Sequence, residues 1–440
     1  MSDHPTLDLV SQAMKDGDLD RAGSICDGVI AEEPDNARAY LMRGVVHAQN
    51  ADFQSAVNHF HRATQLRPDA ANYHFNLALA YQHLDQRDQA IESYRDALAC
   101  KPDFLEAQNN LGNLLIDDDQ PKEGVEHFRK LAEQFPDQAV VQYNLANVLQ
   151  DAGEYTESID AFRRAIELDP DFASARENLG RALSDVTRYE EAAEVWREWL
   201  QHEPGNPIAS HMLAALGEDE KIPDRCNDDF VRGTFDENFA KSFDDQLNRL
   251  NYRVPQMLMD AVADLDDLES ELDVLDAGCG TGLCAVDLRQ RANRLVGLDL
   301  SPEMLEKARA KKLYDELVEA ELSSFLKAAS AKYDLIVCGD TLCYFGELES
   351  VLESIPSNLK PGGHFLFTLE YLQADEDGNE PEETRFRLQP NGRYSHREPY
   401  LRDALADSGL SVNRLETCSL RMERGRDVTG FLVDVTLGEK

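Results

Sequence analysis

The stretch Val274-Leu275-Asp276-Ala277-Gly278-Cys279-Gly280-Thr281-Gly282 ends an apolar run with an aspartate and three glycines at alternate positions. Glycines there let the backbone turn sharply and approach a bound nucleotide or amino acid without side-chain obstruction. A dinucleotide loop needs a third small residue in GxGxxG or GxGxxA for helix–strand packing, and that position is Leu283. A carboxylate at 276 would also repel a pyrophosphate, whereas it suits a cationic cofactor. Asp299 ends the next apolar run, where it can accept hydrogen bonds from both hydroxyls of a ribose.

The elements that must position these residues alternate strand and helix from residue 272. LDVLDAG precedes a helix over 283–291, RLVGLDL a helix from Pro302 to Lys312, and ELVEAEL and YDLIVCG follow. A helix near 346–359 leads to GGHFLFTLE, and the tail supplies a helix over 398–407 and two strands, 411–422 and 428–437. Strands joined by helices predict a doubly wound parallel sheet, and two consecutive terminal strands predict an antiparallel hairpin at its edge. Phe235, Phe239 and Phe243, four apart, predict one apolar helical face before the sheet.

With its sulfonium and amino group, S-adenosylmethionine (SAM) fits a loop headed by Asp276. The VLDAGCGTG stretch is that of a segment, about 272–370, which resembles a class I SAM-dependent methyltransferase. That resemblance implies that Asp276, Gly278, Gly280 and Gly282 line the methionine part of SAM, that Asp299 and Leu300 hold the ribose, and that Glu321 lies near the adenine. It also places Asp340 and Thr341 after the fourth strand, and LKPGG (359–363) at the turn into the fifth. The fold so implied is a seven-stranded Rossmann-like sheet with a terminal antiparallel hairpin. Arg253, with Tyr252, is expected to close over the SAM carboxylate.

At the acceptor end, Asp340, Tyr344 and His396 are the candidate catalytic residues, His396 as a base. The loop Asp340-Thr341-Leu342-Cys343-Tyr344 lacks the (Asn/Asp)-Pro-Pro-aromatic motif of amide and exocyclic-amine methylation and the Pro-Cys of cytosine C5 chemistry, which moves nucleic-acid bases down the order of acceptors. An insertion between Glu370 and His396 carries Asn391-Gly392, a hairpin signal. Arg393, Tyr394 and His396 are expected at a substrate mouth, Arg393 gripping a carboxylate; a surface hairpin with polar tips is the equal alternative.

The first half of the chain is periodic. Pro34, Pro68, Pro102, Pro136, Pro170 and Pro204 are each 34 residues apart. Small residues recur at two places in the period (Gly44 and Ala56, Ala78 and Ala90, Gly112 and Gly124), with Phe60, Tyr94, Phe128 and Trp196 at a third. This resembles the tetratricopeptide repeat (TPR), an α solenoid. Six repeats and a capping helix from Pro207 are expected over residues 3–217, a linker over 218–229, and the methyltransferase-like domain over 230–440. Asn76, Asn110, Asn144 and Asn178 recur at one position of the expected concave face, where carboxamides can bond an extended peptide backbone. The same asparagines are also typical of the repeat itself. No lysine clamp for a partner's terminal carboxylate accompanies them. The whole chain resembles the bacterial group of predicted methyltransferases bearing TPR repeats.

Charge and composition bound the partners. With 84 acidic and 44 basic residues the formal charge is -40, which disfavours nucleic acid and anionic membrane surfaces. No secretory signal or membrane-length apolar run is evident, so a cytoplasmic location is expected. Eight scattered cysteines without CxxC spacing predict reduced thiols and no metal site. The expected function is methyl transfer from SAM, with the TPR array recruiting a protein substrate or partner. The alternatives are a TPR scaffold with a residual SAM-binding fold and, more distantly, an NAD-dependent oxidoreductase.

Overall fold

The computed structural model describes residues 6–117, 121–217, 222–236, 239–240, 243–244, 247, 250–265, 268, 271–328, 331–373, 384–423 and 426–438. The chain divides into two compact units, residues 1–182 and 183–440.

After a first pair of 9 and 14 residues, Leu7–Lys15 and Leu19–Glu32, the first unit is built from helices that alternate between 13 and 14 residues: Ala37–Gln49 and Phe53–Leu66, Ala71–His83 and Arg87–Cys100, Leu105–Asp117 and Pro121–Gln134, Ala139–Asp151 and Tyr155–Leu168. Several starts are fixed by side chains that accept an otherwise unpaired N–H, as Asn36 does from Ala39 and Asp52 from Ser55. The recurring small residues let paired helices touch. A Cβ on Gly44 would stand 2.5 Å from the Phe60 ring, and one on Gly112 would stand 2.6 Å from Phe128. The periodic aromatics therefore fill the space that the periodic glycines leave, and the TPR solenoid predicted from the 34-residue period is present.

The second unit contains a seven-stranded sheet. Its strands are β1 (Leu272–Ala277), β2 (Ala292–Asp299), β3 (Glu316–Glu319), β4 (Tyr333–Cys338), β5 (Leu359–Glu370), β8 (Leu410–Glu423) and β9 (Arg426–Leu437). The order is β3-β2-β1-β4-β5-β9-β8, and a separate two-stranded sheet pairs β6 (Phe386–Leu388) with β7 (Tyr394–His396). β1 through β5 pair in parallel, and β9 runs antiparallel to both β5 and β8. β1 and β4 are buried along nearly their whole length, as central parallel strands covered on both faces must be. Leu275, Ile336 and Phe365 enter one core, while Val274, Leu335 and Leu366 enter the other. The single helix expected near 346–359 is two short ones, Glu349–Leu352 and Ile355–Asn358. LKPGG forms the irregular start of β5.

The helices Tyr189–His202 and Pro207–Ala215 belong to this second unit. Trp196, Trp199, Met212 and Leu213 form one buried cluster with Phe230, Leu388 and Tyr394. The helix expected to cap the repeats thus lies against the β6–β7 hairpin, and His211 Nε2 donates to the Gly392 carbonyl at 2.9 Å. No described helix is long and apolar enough to cross a membrane.

Candidate functional site

Two cavities open at the carboxyl ends of the central strands and share Gly278 and Thr341 in their walls. The first, about 100 Å³, is lined by Phe235, Asp299, Leu300 and Glu321 among others. The second, about 190 Å³, is lined by Tyr252, Asp276, Thr281, Asp340, Arg393 and Arg421 among others.

The glycine loop behaves as its sequence predicts. Gly278, Gly280 and Gly282 have φ of 75°, 53° and 81°, left-handed values that favour glycine. The Gly280 N–H donates to Asp299 Oδ2 at 2.8 Å, and Ser301 N–H donates to Oδ1 at 2.9 Å. Asp299 is therefore fixed across the loop, and burial pushes its carboxyl up despite these N–H bonds. Ser301 Oγ also donates to the Phe235 carbonyl, which ties the segment before the sheet to the rim of the first cavity. Glu321 lines that cavity, but its two oxygens accept the N–H groups of Ser323 and Ser324 at 2.8 Å. Burial pushes its carboxyl up, and those N–H groups outweigh this and hold it below the ordinary range.

Asp276 is 3% exposed and accepts from Tyr314 Oη at 2.7 Å. Burial pushes its carboxyl up to about 6, with Tyr314 opposing and the Asp299 charge adding to the rise. A folded value above the ordinary 3.8 means the folded state holds the proton more tightly. The stability this confers is present at low pH and lost as pH rises through about 6. Asp276→Asn is therefore expected to raise unfolding free energy at pH 8 by roughly 3 kcal/mol, a gain that shrinks toward pH 4. Urea unfolding at the two pH values checks this, and an equal effect at both would refute it.

The acceptor-side residues depart from expectation. His396 is fully buried, donates through Nε2 to the Gly346 carbonyl at 3.0 Å, and lines neither cavity. Burial pushes its imidazole down to about 4. It is a neutral core histidine and not a base at a mouth, because β7 is buried throughout. Tyr394 is likewise fully buried, its hydroxyl donating to the Pro223 carbonyl at 2.8 Å. The depressed His396 value favours folding above pH 6.5, and that contribution falls as pH drops toward 4. Between pH 7 and 5 the protein is expected to lose about 2 kcal/mol more stability than a His396→Phe variant, as urea unfolding would show.

Arg253 is exposed and lines neither cavity, whereas its neighbour Tyr252 lines the second. The Arg253 backbone N–H donates to Leu420 at the start of the helix Val254–Ala263, so adjacent residues leave in different directions. The arginines at the cavity are Arg393, which was expected at a mouth, and Arg421, which sequence reading missed. Arg393 Nη2 bonds Asp340 Oδ1, and Arg393 Nε lies 2.7 Å from Glu370 Oε1. Arg421 Nη2 donates to Glu370 Oε1 at 2.7 Å and Nε to Glu423 Oε1 at 2.6 Å.

Asp340 has φ 52°, an unusual conformation for a non-glycine residue and one concentrated at functional sites. Burial pushes its carboxyl up, but Arg393 and Arg421 outweigh this and hold it below the ordinary range. Asp340 is thus an ionised ligand of two arginines and a poor proton acceptor. Tyr344 packs under the Arg393 guanidinium, 5.6 Å from its ring centre, and burial pushes its hydroxyl far up. Neither Asp340 nor Tyr344 is poised as a base. Asp340, Cys343 and Glu370 converge within 4.8 Å, but the two arginines already neutralise their carboxylates.

Residues 222–227, expected in a linker, pair with the loop after β4: Cys226 N–H donates to the Tyr344 carbonyl at 2.8 Å and Gly346 N–H to Asp224 at 2.9 Å. Arg225 and Cys226 line the first cavity. In the solenoid, Asn76, Asn110, Asn144 and Asn178 are half-buried. The Asn76 amide donates to the Asn72 carbonyl, that of Asn110 to Tyr94 Oη, and that of Asn178 to Asn147 Oδ1.

Comparison with known families agrees with both halves. Residues 268–391 match the model of a methyltransferase domain, and residues 41–103, 103–171 and 143–207 match tetratricopeptide repeat models. The chain joins tetratricopeptide repeats to a methyltransferase domain. It is 32% identical over 150 residues to carboxy-S-adenosyl-L-methionine synthase of Wolinella succinogenes, covering 32% of this chain and 62% of that protein. It is 31% identical over 99 residues to ubiquinone biosynthesis O-methyltransferase of Pectobacterium atrosepticum, covering 22% of this chain and 41% of that one. The chain therefore spans less than two thirds of the length of these relatives. Among solved structures, the magnesium protoporphyrin IX methyltransferase of Synechocystis PCC 6803 with bound SAH shares 20% identity over 48% of this chain and 99% of that chain, with a TM-score of 0.38.

The methyltransferase domain holds a donor set suited to SAM: an anionic floor at Asp276, a second carboxylate at Asp299, and an open backbone at Gly280, where an added Cβ would meet only Phe243 at 3.8 Å.

Proposed function

We propose that the protein is a SAM-dependent methyltransferase whose TPR array recruits a protein, as substrate or as localising partner. The observation that carries the first part is the buried carboxylate of Asp276 beside a glycine loop that is open to the cavity. Asp276, Gly278, Gly280 and Gly282 would hold the methionine portion, and Asp299 and Leu300 the ribose. SAM, when bound, supplies an electrophilic methyl group.

The chain's own part is positioning, since holding reacting atoms in line accounts for much of such a rate enhancement. Tyr252, Phe243 and Thr281 line the second cavity, and Thr281 Oγ1 is fixed by Asp244 at 2.6 Å. With Asp340 held by two arginines, Tyr344 strongly raised and His396 in the core, no described candidate takes a proton readily. Acceptors that enter deprotonated, or that lose their proton after transfer, are favoured.

Calorimetric titration with SAM, S-adenosylhomocysteine (SAH) and NAD tests the cofactor. SAM and SAH are expected to bind, with Asp299→Ala weakening both, and binding of NAD alone would overturn the reading. The TPR part rests on the asparagine row. A variant with Asn76, Asn110, Asn144 and Asn178 changed to alanine is expected to keep SAM affinity but lose labelling of protein targets by methyl-labelled SAM in a lysate. Unchanged labelling would remove the array as selector and favour a small-molecule acceptor.

A further inference from the structure

Arg393 and Arg421 stand at one side of the second cavity. The glycine loop follows β1, whereas Asp340 follows β4, Glu370 ends β5 and Arg421 lies on β8. In the sheet order these lie progressively farther from β1 on the side away from β2 and β3. Strands are spaced by about 4.8 Å, so the arginines belong to the acceptor end and not to the loop.

Arg421 is 2% exposed, yet its Nη1 is buried without a hydrogen-bond partner and lies 3.5 Å from Asp340 Oδ1. Arg393 Nε is also buried without an aligned acceptor, although it lies close to Glu370. Guanidinium donors come in a planar fork suited to a carboxylate, and leaving such donors unmade inside a protein is costly. Phe239, Phe243, Leu247 and Leu250 supply an apolar wall to the same cavity. Asp340, Glu370 and Glu423 outnumber the two cations, so a ligand there is held by hydrogen bonds from the guanidinium fork more than by net charge, and a doubly charged phosphate is disfavoured.

We propose that this end of the cavity binds the carboxylate of a small carboxylic acid with an apolar body, on Arg421 Nη1 and Arg393, and that such acids are the acceptor class. The inference rests on the methyl-transfer reading above. It deepens it by naming what lies opposite the donor.

The test uses the full-length protein saturated with SAH, titrated calorimetrically with 3-phenylpropionate, 3-phenylpropionamide, 3-phenylpropylamine and 2-phenylethylphosphonate. The acid is expected to bind about tenfold or more tighter than its amide, the difference of a charge-assisted pair, and tighter than the amine and the phosphonate. Arg421→Gln is expected to remove that preference. Because it leaves Glu423 without its cation and Glu370 with Arg393 alone, and so threatens folding, Glu423→Gln serves as the second variant. Glu423 stands at the rim, 37% exposed, and its neutralisation removes one of the negative charges that face Arg421, so acid affinity is expected to rise several-fold. No binding of the acid, equal binding of any of the other three probes, or unchanged acid affinity in Glu423→Gln overturns the proposal. Failure of SAH itself to bind sinks the methyl-transfer reading and this inference with it, whereas SAH binding without discrimination between probes sinks this inference alone.

Discussion

Replacing Gly278 with alanine is expected to abolish measurable SAM binding and to lower unfolding free energy by about 3 kcal/mol. Two costs combine at this position. Its φ of 75° lies in the left-handed region, where a side chain costs roughly 1–2 kcal/mol. An added Cβ would also stand 1.9 Å from Thr341 Oγ1 and 2.8 Å from both Thr341 carbons. Thr341 has little room to retreat, because its hydroxyl is bonded to the Gly339 carbonyl at 3.1 Å and lies 3.5 Å from that of Ala277. The loop must move instead, and it carries the N–H that fixes Asp299. Gly362→Ala separates the two costs, since Gly362 has φ 77° with nothing within 4 Å of the added atom. That change is expected to cost only about 1 kcal/mol and to leave SAM affinity intact. Adding Thr341→Gly to Gly278→Ala removes the three nearest atoms and is expected to recover the steric part. Equal losses for Gly278→Ala and Gly362→Ala in thermal unfolding would show that the contact with Thr341 is irrelevant.

Gly278 was legible because everything that defines it is local: an apolar run, an aspartate and alternate glycines within nine residues. The solenoid was legible for a related reason, since a strict period repeats one local solution, with Gly44 against Phe60 and Gly112 against Phe128 as successive instances. What escaped reading depends on distant contacts. Arg421 meets Glu370 across 51 residues of sequence, and within β8 it sits between Leu420 and Met422 with nothing to mark it. Tyr314, which bonds Asp276, is 38 residues from it. His396 misled for the opposite reason. An Asn-Gly turn implied an exposed hairpin, and Gly392 does adopt φ 86°, but Tyr394, Ser395 and His396 are all buried. The covering surface comes from the helix Pro207–Ala215 on one side, and Tyr400 stacks on His396 from another.

That covering surface makes the second large expected effect. A chain starting at residue 218, where the repeat period ends, is expected to lose cooperative unfolding of the methyltransferase domain, whereas a chain starting at residue 183 is expected to retain it. The cut at 218 removes Trp196, Trp199, Met212 and Leu213 from a cluster that otherwise buries Phe230, Leu388 and Tyr394 to 4% exposure or less. Exposing large side chains costs about 1.5–3 kcal/mol each, so three of them approach the whole stability of an ordinary domain, about 5–15 kcal/mol. The His211 bond to the Gly392 carbonyl is lost as well, and Gly392 directly precedes Arg393. The hairpin would therefore loosen at the point where it delivers a guanidinium to Asp340. Near-ultraviolet circular dichroism and calorimetric melting distinguish the outcomes, and a shared, sharp transition for the two chains would show that the helices Tyr189–His202 and Pro207–Ala215 are dispensable. If the shorter chain does lose its transition, the helices Tyr189–His202 and Pro207–Ala215 are a structural part of the methyltransferase unit. A mutation in the helix Pro207–Ala215 would then change the acceptor pocket through the β6–β7 hairpin without touching any ligand.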